Sequence, residues 1–218
     1  MTIKFLSAIV IVVMSSTFSQ ADVVINEIMR NPTAVSDFNG EWFELFNTGS
    51  TDIDIEGWTI RDDGSDSHVI NNDGSLVVGA GDYLVLGINA DSISNGGLDV
   101  DYEYQDVTLG NGTDEIVLLD LSLTEIDRVN YSDSSFPNDD PLNGTGRSLA
   151  LFSPSLDNNI GSNWYAESGA RFGDGDAGTP GARNFLAVPE PSSAAICSMV
   201  LIGIVSRRRR TRNVECAS

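Results

Sequence analysis

The 218-residue chain sets 12 Lys and Arg against 32 Asp and Glu, and contains one histidine and two cysteines. Lys4, Arg207, Arg208, Arg209, Arg210 and Arg212 lie near the ends, as do Glu190 and Glu215, so residues 22–187 keep 6 arginines against 30 acids, a net −24. Such a field repels phosphate backbones and anionic headgroups and disfavours nucleic-acid binding, while Trp42, Trp58, Trp164 and abundant aliphatics distinguish the chain from a disordered acidic tail.

At the N-terminus, Lys4 precedes an apolar run over 5–14 broken only by Ser7, and Ser19 and Ala21 place small residues three and one before a cut. This arrangement predicts a signal peptide over 1–21, removed by signal peptidase after Ala21. A single domain is expected over 22–187, long enough to bury its own core.

Short β-type runs separated by Gly, Asn and Asp follow from Val23 onward, without an amphipathic helix. Strands are predicted over 23–29 and 41–47. Residues 52–60 alternate Ile53, Ile55, Trp58 and Ile60 with polar positions, Gly57 marking a bulge. Further strands are expected over 82–87, 102–109, 115–120, 125–131 and 147–152. Strands with one apolar face must cover it, which makes two stacked sheets the economical arrangement, an all-β sandwich.

The C-terminal segment, 188–218, has Val188-Pro189-Glu190-Pro191, an apolar run over 194–205, and the arginine block, with Cys197 and Cys216 inside it. Both cysteines therefore lie outside the domain, which has no disulfide of its own. Basic flanks resist translocation, so the arrangement reads as a stop-transfer anchor; its apolar run is short against the roughly 20 residues a spanning helix needs. The order of the three parts resembles the PEP-CTERM sorting signal of Gram-negative bacteria, although residues 213–218 extend past the arginines where that family commonly ends. The resemblance implies transient anchoring in the inner membrane, removal of the tail near Pro189, Glu190 and Pro191 by an exosortase-like enzyme, and delivery to the cell surface or the extracellular polymer layer.

Within the domain, the ordered motifs Ile25-Asn26-Glu27-Ile28, Gly40-Glu41-Trp42-Phe43-Glu44-Leu45-Phe46-Asn47 and Ile55-Glu56-Gly57-Trp58-Thr59-Ile60 resemble the lamin tail domain. Later pieces agree: Gly81-Asp82-Tyr83-Leu84-Val85-Leu86, Asp120 with 126–131, Gly146-Arg147-Ser148-Leu149, Asn163-Trp164 and Gly178-Thr179-Pro180-Gly181-Ala182-Arg183-Asn184. The resemblance implies an immunoglobulin-like β-sandwich. It says little of function, because that scaffold hosts many activities.

The inventory for chemistry is narrow. With His68 as the sole histidine and no cysteine in the domain, zinc sites and Cys–His or Ser–His nucleophiles lack parts. His68 reads as part of a solvated hairpin loop. Trp42, Leu45 and Trp58 are expected in the sandwich core, and Glu27, Glu41 and Glu44 are expected to meet main-chain donors or water. Gly178-Thr179-Pro180-Gly181 reads as a turn that fixes chain direction.

Calcium is the one cofactor that the composition supports, because hard cations take several oxygens and Asp/Asn-rich turns supply them. Candidate clusters are Asp62, Asp63 and Asp66; Asp133, Asn138, Asp139 and Asp140; and Asp174 with Asp176, the pair taken as the metal site. The functional reading is a non-catalytic surface or matrix protein whose partner is an extracellular polysaccharide or a surface protein. The alternative is a secreted hydrolase acting on extracellular polysaccharide through paired acids.

Overall fold

The computed structural model describes residues 22–136 and 146–184. Twelve strands are present: β1 (Val23–Met29), β2 (Trp42–Asn47), β3 (Ile53–Asp54), β4 (Thr59–Arg61), β5 (Ser67–Val69), β6 (Val77–Val78), β7 (Tyr83–Gly87), β8 (Tyr102–Glu103), β9 (Thr113–Leu119), β10 (Glu125–Ser132), β11 (Leu149–Leu151) and β12 (Trp164–Ala166). One helical turn, α1 (Asp37–Gly40), and one 3-10 turn (Gly161–Asn163) complete the described structure.

The strands form a six-stranded sheet, β12-β11-β1-β2-β7-β8, a four-stranded sheet, β10-β9-β4-β5, and the small pair β3-β6. Pairing is antiparallel except where β8 joins β7. The main core draws Ile25, Phe43, Leu45 and Leu86 from the larger sheet and Ile60, Ile116, Leu118, Val129 and Tyr131 from the smaller one. The fold is thus an all-β sandwich.

A bulge in β1 sets the rest of the architecture. The register against β2 slips between Ile25 and Glu27, so Ile25 and Ile28, three apart, both face the main core. The slip turns Glu27 and Met29 to the opposite face, beside Glu44 and Trp42 of β2. That face is covered too. Met29, Trp42, Val85 and Leu98 form a second, smaller core with Phe172 packed against it, and all of β1 is buried. Trp42 is therefore buried as expected, but in this second core and not with Leu45, which has the opposite parity along β2.

Two expectations change at the strand level. Residues 52–60 do not form one bulged strand. Gly57, at φ +78°, turns the chain between β3 and β4, which lie in different sheets. The run 102–109 is a strand only over Tyr102–Glu103, yet Tyr104, Val107 and Leu109 remain in the main core because the apolar pattern outlasts the ladder.

Among the described residues no helix is long and apolar enough to cross a membrane. The expected signal peptide with Ala21, the anchor with Pro189, Glu190 and Pro191, and Asn138, Asp139 and Asp140 lie outside the described residues.

Candidate functional site

The outer face of the large sheet carries the densest set of buried polar groups. Glu27 and Glu44 are directly opposed on β1 and β2, and both are fully buried. The chain's last described stretch, 178–184, lies over them as a strap. The Thr179 amide donates to Glu27 Oε1 at 2.9 Å and the Thr179 hydroxyl to Oε2 at 2.7 Å, while the Ser148 hydroxyl also donates to Oε1. Glu44 accepts from the Gly181 amide at 2.6 Å and from the Asn26 side-chain amide at 2.8 Å.

Turn chemistry aims these donors. The Ala182 amide returns to the Thr179 carbonyl at 3.0 Å, with Pro180 and Gly181 at the centre and Gly181 at φ +74°, the left-handed position that a type II turn requires. Gly178 enters the strap where a β-carbon would sit 3.0–3.2 Å from Phe172, Glu27 and Trp42, so its lack of a side chain eases the close approach of the backbone to the sheet. The expected turn is thus present, and its task is to place amides over two carboxylates.

Burial is the main force on these acids. It raises Glu27 to about 7, against the pull of its Ser148 and Thr179 hydrogen bonds, and raises Glu44 to about 9, helped by the Glu27 charge beside it. Glu41 is raised by burial to about 8 while its carboxylate accepts from the Leu109 amide at 2.9 Å.

Other inward acids follow the same rule. Asp127 faces inward from β10 and accepts from the Ile25 amide at 2.6 Å and from Asn158 at 2.7 Å; Asn158 also donates to the Ile25 carbonyl. Burial raises Asp127 as well. Asp127 and Asn158 thus bind the main chain of Ile25, beside the bulge; their only trace in the sequence is a polar residue in an otherwise apolar inward series.

Asp174 and Asp176, the expected calcium pair, occupy different environments. Asp174 is exposed, its amide donating to the Gly96 carbonyl at 2.7 Å. Asp176 is buried, and its carboxylate accepts from the Thr33 and Ala34 amides at 3.1–3.2 Å and from the Thr33 hydroxyl at 2.7 Å. Among the described residues, three acids bring an oxygen each within 4.8 Å of one another at Asp62, Asp114 and Glu115. All three also accept main-chain amides: Asp66 to Asp62, Gly110 to Asp114, Asp63 to Glu115. Asp63 instead pairs with Arg128, and Asp133 with the buried Arg30.

His68 is not in a solvated loop. It lies on β5, half-buried, with Nε2 2.7 Å from the Tyr102 hydroxyl and Nδ1 accepting the Gln105 amide at 3.2 Å. Because Nδ1 accepts, the proton sits on Nε2 and is donated to Tyr102, whose oxygen also accepts the Asn71 amide. Desolvation lowers its pKa, partly opposed by the Asp106 charge. The ring ties the edge strand of one sheet to that of the other.

The geometry defines an all-β sandwich module whose buried acids are hydrogen-bonded to its own main chain and whose exposed acids form a strongly negative surface. The chain belongs to the lamin tail domain family, whose model matches residues 16–133. No curated protein matches it significantly. The motifs beyond residue 133 are joined to the matched part by the strap's bonds to Asn26, Glu27 and Glu44.

Proposed function

We propose that this is a non-catalytic, exported protein of the cell surface or extracellular matrix, whose lamin-tail sandwich is a binding or structural module. One observation carries the reading: among the described residues Glu27, Glu41, Glu44, Asp127, Glu167 and Asp176, the acids whose burial suits them to chemistry, are each engaged by main-chain donors of their own fold. A glycosidase needs two carboxyls open to a sugar on either side of the scissile bond. Glu27 and Glu44 are the closest counterpart, and the strap stands between them and solvent. The ends supply the export reading: signal peptidase acts after Ala21, and an exosortase-like enzyme acts near Pro189, Glu190 and Pro191 after transient anchoring in the inner membrane of a Gram-negative cell. An acidic module of this kind suits a neutral or cationic extracellular polymer or surface protein, with calcium as a bridging or stabilising ion.

The test is co-sedimentation of the purified protein with extracellular polysaccharide from the producing cells, with release of reducing ends followed in the same tubes. Retention without release is expected. Release of reducing ends that is lost in Asp or Glu variants would establish the hydrolase instead.

A further inference from the structure

We propose that the 178–184 strap is a pH-operated latch, closed over the Glu27–Glu44 carboxyl pair while that pair holds a proton and loosened once both carboxyls are ionised. The inference rests on the clasp's geometry and is independent of what the module binds.

The two carboxyls project from opposed positions of neighbouring strands, where β-carbons lie about 4.5–5.5 Å apart, and the Glu27 charge acts on Glu44. Both are closed off from water. Their partners are the Ser148 and Thr179 hydroxyls, the Asn26 side-chain amide, and the Thr179 and Gly181 main-chain amides. Every one of these is neutral, so none offsets a second negative charge.

The surrounding titratable groups add to the repulsion. Glu167, at the end of β12, raises Glu27, and Asp101, against β7, raises Glu44. The phenols of Tyr83 and Tyr165 are themselves raised, chiefly by burial and also by the charges of these acids. Two arginines are near. Arg147 gives its guanidinium to the Ala166 and Glu167 carbonyls, and Arg183 is exposed on the strap, where its charge acts on Tyr83.

Two close carboxyls in a dry site titrate as a pair and retain a proton well past the ordinary range. Lifting the strap admits water to both and returns them to ordinary acidity, so opening releases protons. By linkage, the opening equilibrium then rises by up to tenfold per pH unit for each proton released, between the open and closed pKa values. With both carboxyls returning to about 4.5 on opening, and Glu27 near 7 and Glu44 near 9 in the closed state, that window runs from mildly acidic to mildly alkaline pH, two protons being released on opening below about 7 and one between about 7 and 9. The strap is also where the described chain leaves the sheet, at Asn184. A latched strap holds that exit to β1 and β11, whereas a loosened one frees it to extend or be cut.

The experiment is amide exchange by NMR on the full chain from pH 5 to 9, with rates divided by the intrinsic rate at each pH. Protection at Thr179 and Gly181 should fall by up to about a hundredfold per pH unit below pH 7 and about tenfold per unit from 7 to 9, while Phe43 and Leu45 in the central strand keep theirs. In E27Q/E44Q, which retains an acceptor oxygen at each position and cannot ionise, the slope should vanish. Constant protection in the wild type, or an unchanged slope in the double variant, would overturn the latch. Should the double variant fail to fold, the wild-type side-chain carboxyl carbon shifts decide: midpoints for both Glu27 and Glu44 in the ordinary glutamate range would also overturn it.

Discussion

Asn184, the last described residue, donates its side-chain amide to the main-chain carbonyl of Asn26 at 2.9 Å, across 158 positions of sequence. The same amide reaches the Leu151 carbonyl at 2.9 Å, so one side chain ties the bulge of β1 to the end of β11. Replacing it leaves two partly buried carbonyls without these partners, at a cost of about 1–3 kcal/mol. Urea unfolding of N184A should show a loss in that range with an unchanged m-value. A loss indistinguishable from zero would mean that the strap contributes nothing to closing the domain.

Trp42 and Trp58 occupy different cores, and each should cost about 3–5 kcal/mol when truncated to alanine. They should part company on substitution by phenylalanine. The Trp42 indole nitrogen is buried without a hydrogen-bond partner, so W42F sheds a polar group that earns nothing while keeping most of the contact with Phe172. Paired urea melts of W42A and W42F measure this: W42F should retain most of the stability that W42A loses.

The strands were legible because a half-buried strand writes its burial in a period of two, as in Phe43 and Leu45 or Val129 and Tyr131. The second core was not, since Trp42 and Leu45 are both apolar and only the later segments that bring Leu98 and Phe172 onto the Trp42 face show that this face is covered too. The clasp was visible in pieces. Asn26, Glu27, Glu44 and the 178–184 turn all stood out as motifs, but nothing local shows that residues more than 130 positions apart bond to one another. His68 was misplaced for the same reason: its loop composition is polar, and its partner Tyr102 belongs to the other sheet.

Stability should depend on pH in opposite senses through two further groups. Glu41 is raised from 4.5 to about 8 by burial, so the folded state binds the extra proton. Its contribution is fully present below pH 4.5 and is lost as pH rises through about 8. E41Q should therefore flatten the alkaline side of the stability–pH curve measured by urea unfolding. His68 is lowered below 6.5, so the folded state binds fewer protons and its contribution is lost as pH falls beneath that value. The ring-proton shifts of His68 should titrate with a midpoint under 6.5; a higher one would contradict its desolvation between the two sheets.

The mature protein should lack both ends. Under the proposed export reading, the basic start, apolar run and Ala21 exit at one end, and the Pro189-Glu190-Pro191 breaker before a short apolar run at the other, belong to processing segments. Intact-mass spectrometry of protein from native cells should find a chain beginning near Asp22 and ending before the arginine block. Recovery of Arg207 to Arg212 in most of the surface protein would defeat the sorting-signal reading.

Calcium should stabilise the fold without activating chemistry. A domain with 30 acids against 6 arginines repels itself on compaction, and any cation held only by the folded state offsets that repulsion by mass action. Screening and site binding separate experimentally, because sodium at equal ionic strength weakens repulsion everywhere whereas a site discriminates by coordination. Thermal melts in millimolar calcium, in matched sodium chloride and with chelator make the comparison. The variants follow from the structure: D174N removes an exposed carboxylate at little structural cost, whereas D176N weakens the acceptor of the Thr33 and Ala34 amides and should lower the melting temperature even in chelator. The calcium-specific shift should be lost in D174N if the loop at 173–176 holds the ion, and in D62N if the Asp62, Asp114 and Glu115 group does. If sodium reproduces the whole shift, neither place is a site and the acids act only as a diffuse negative surface.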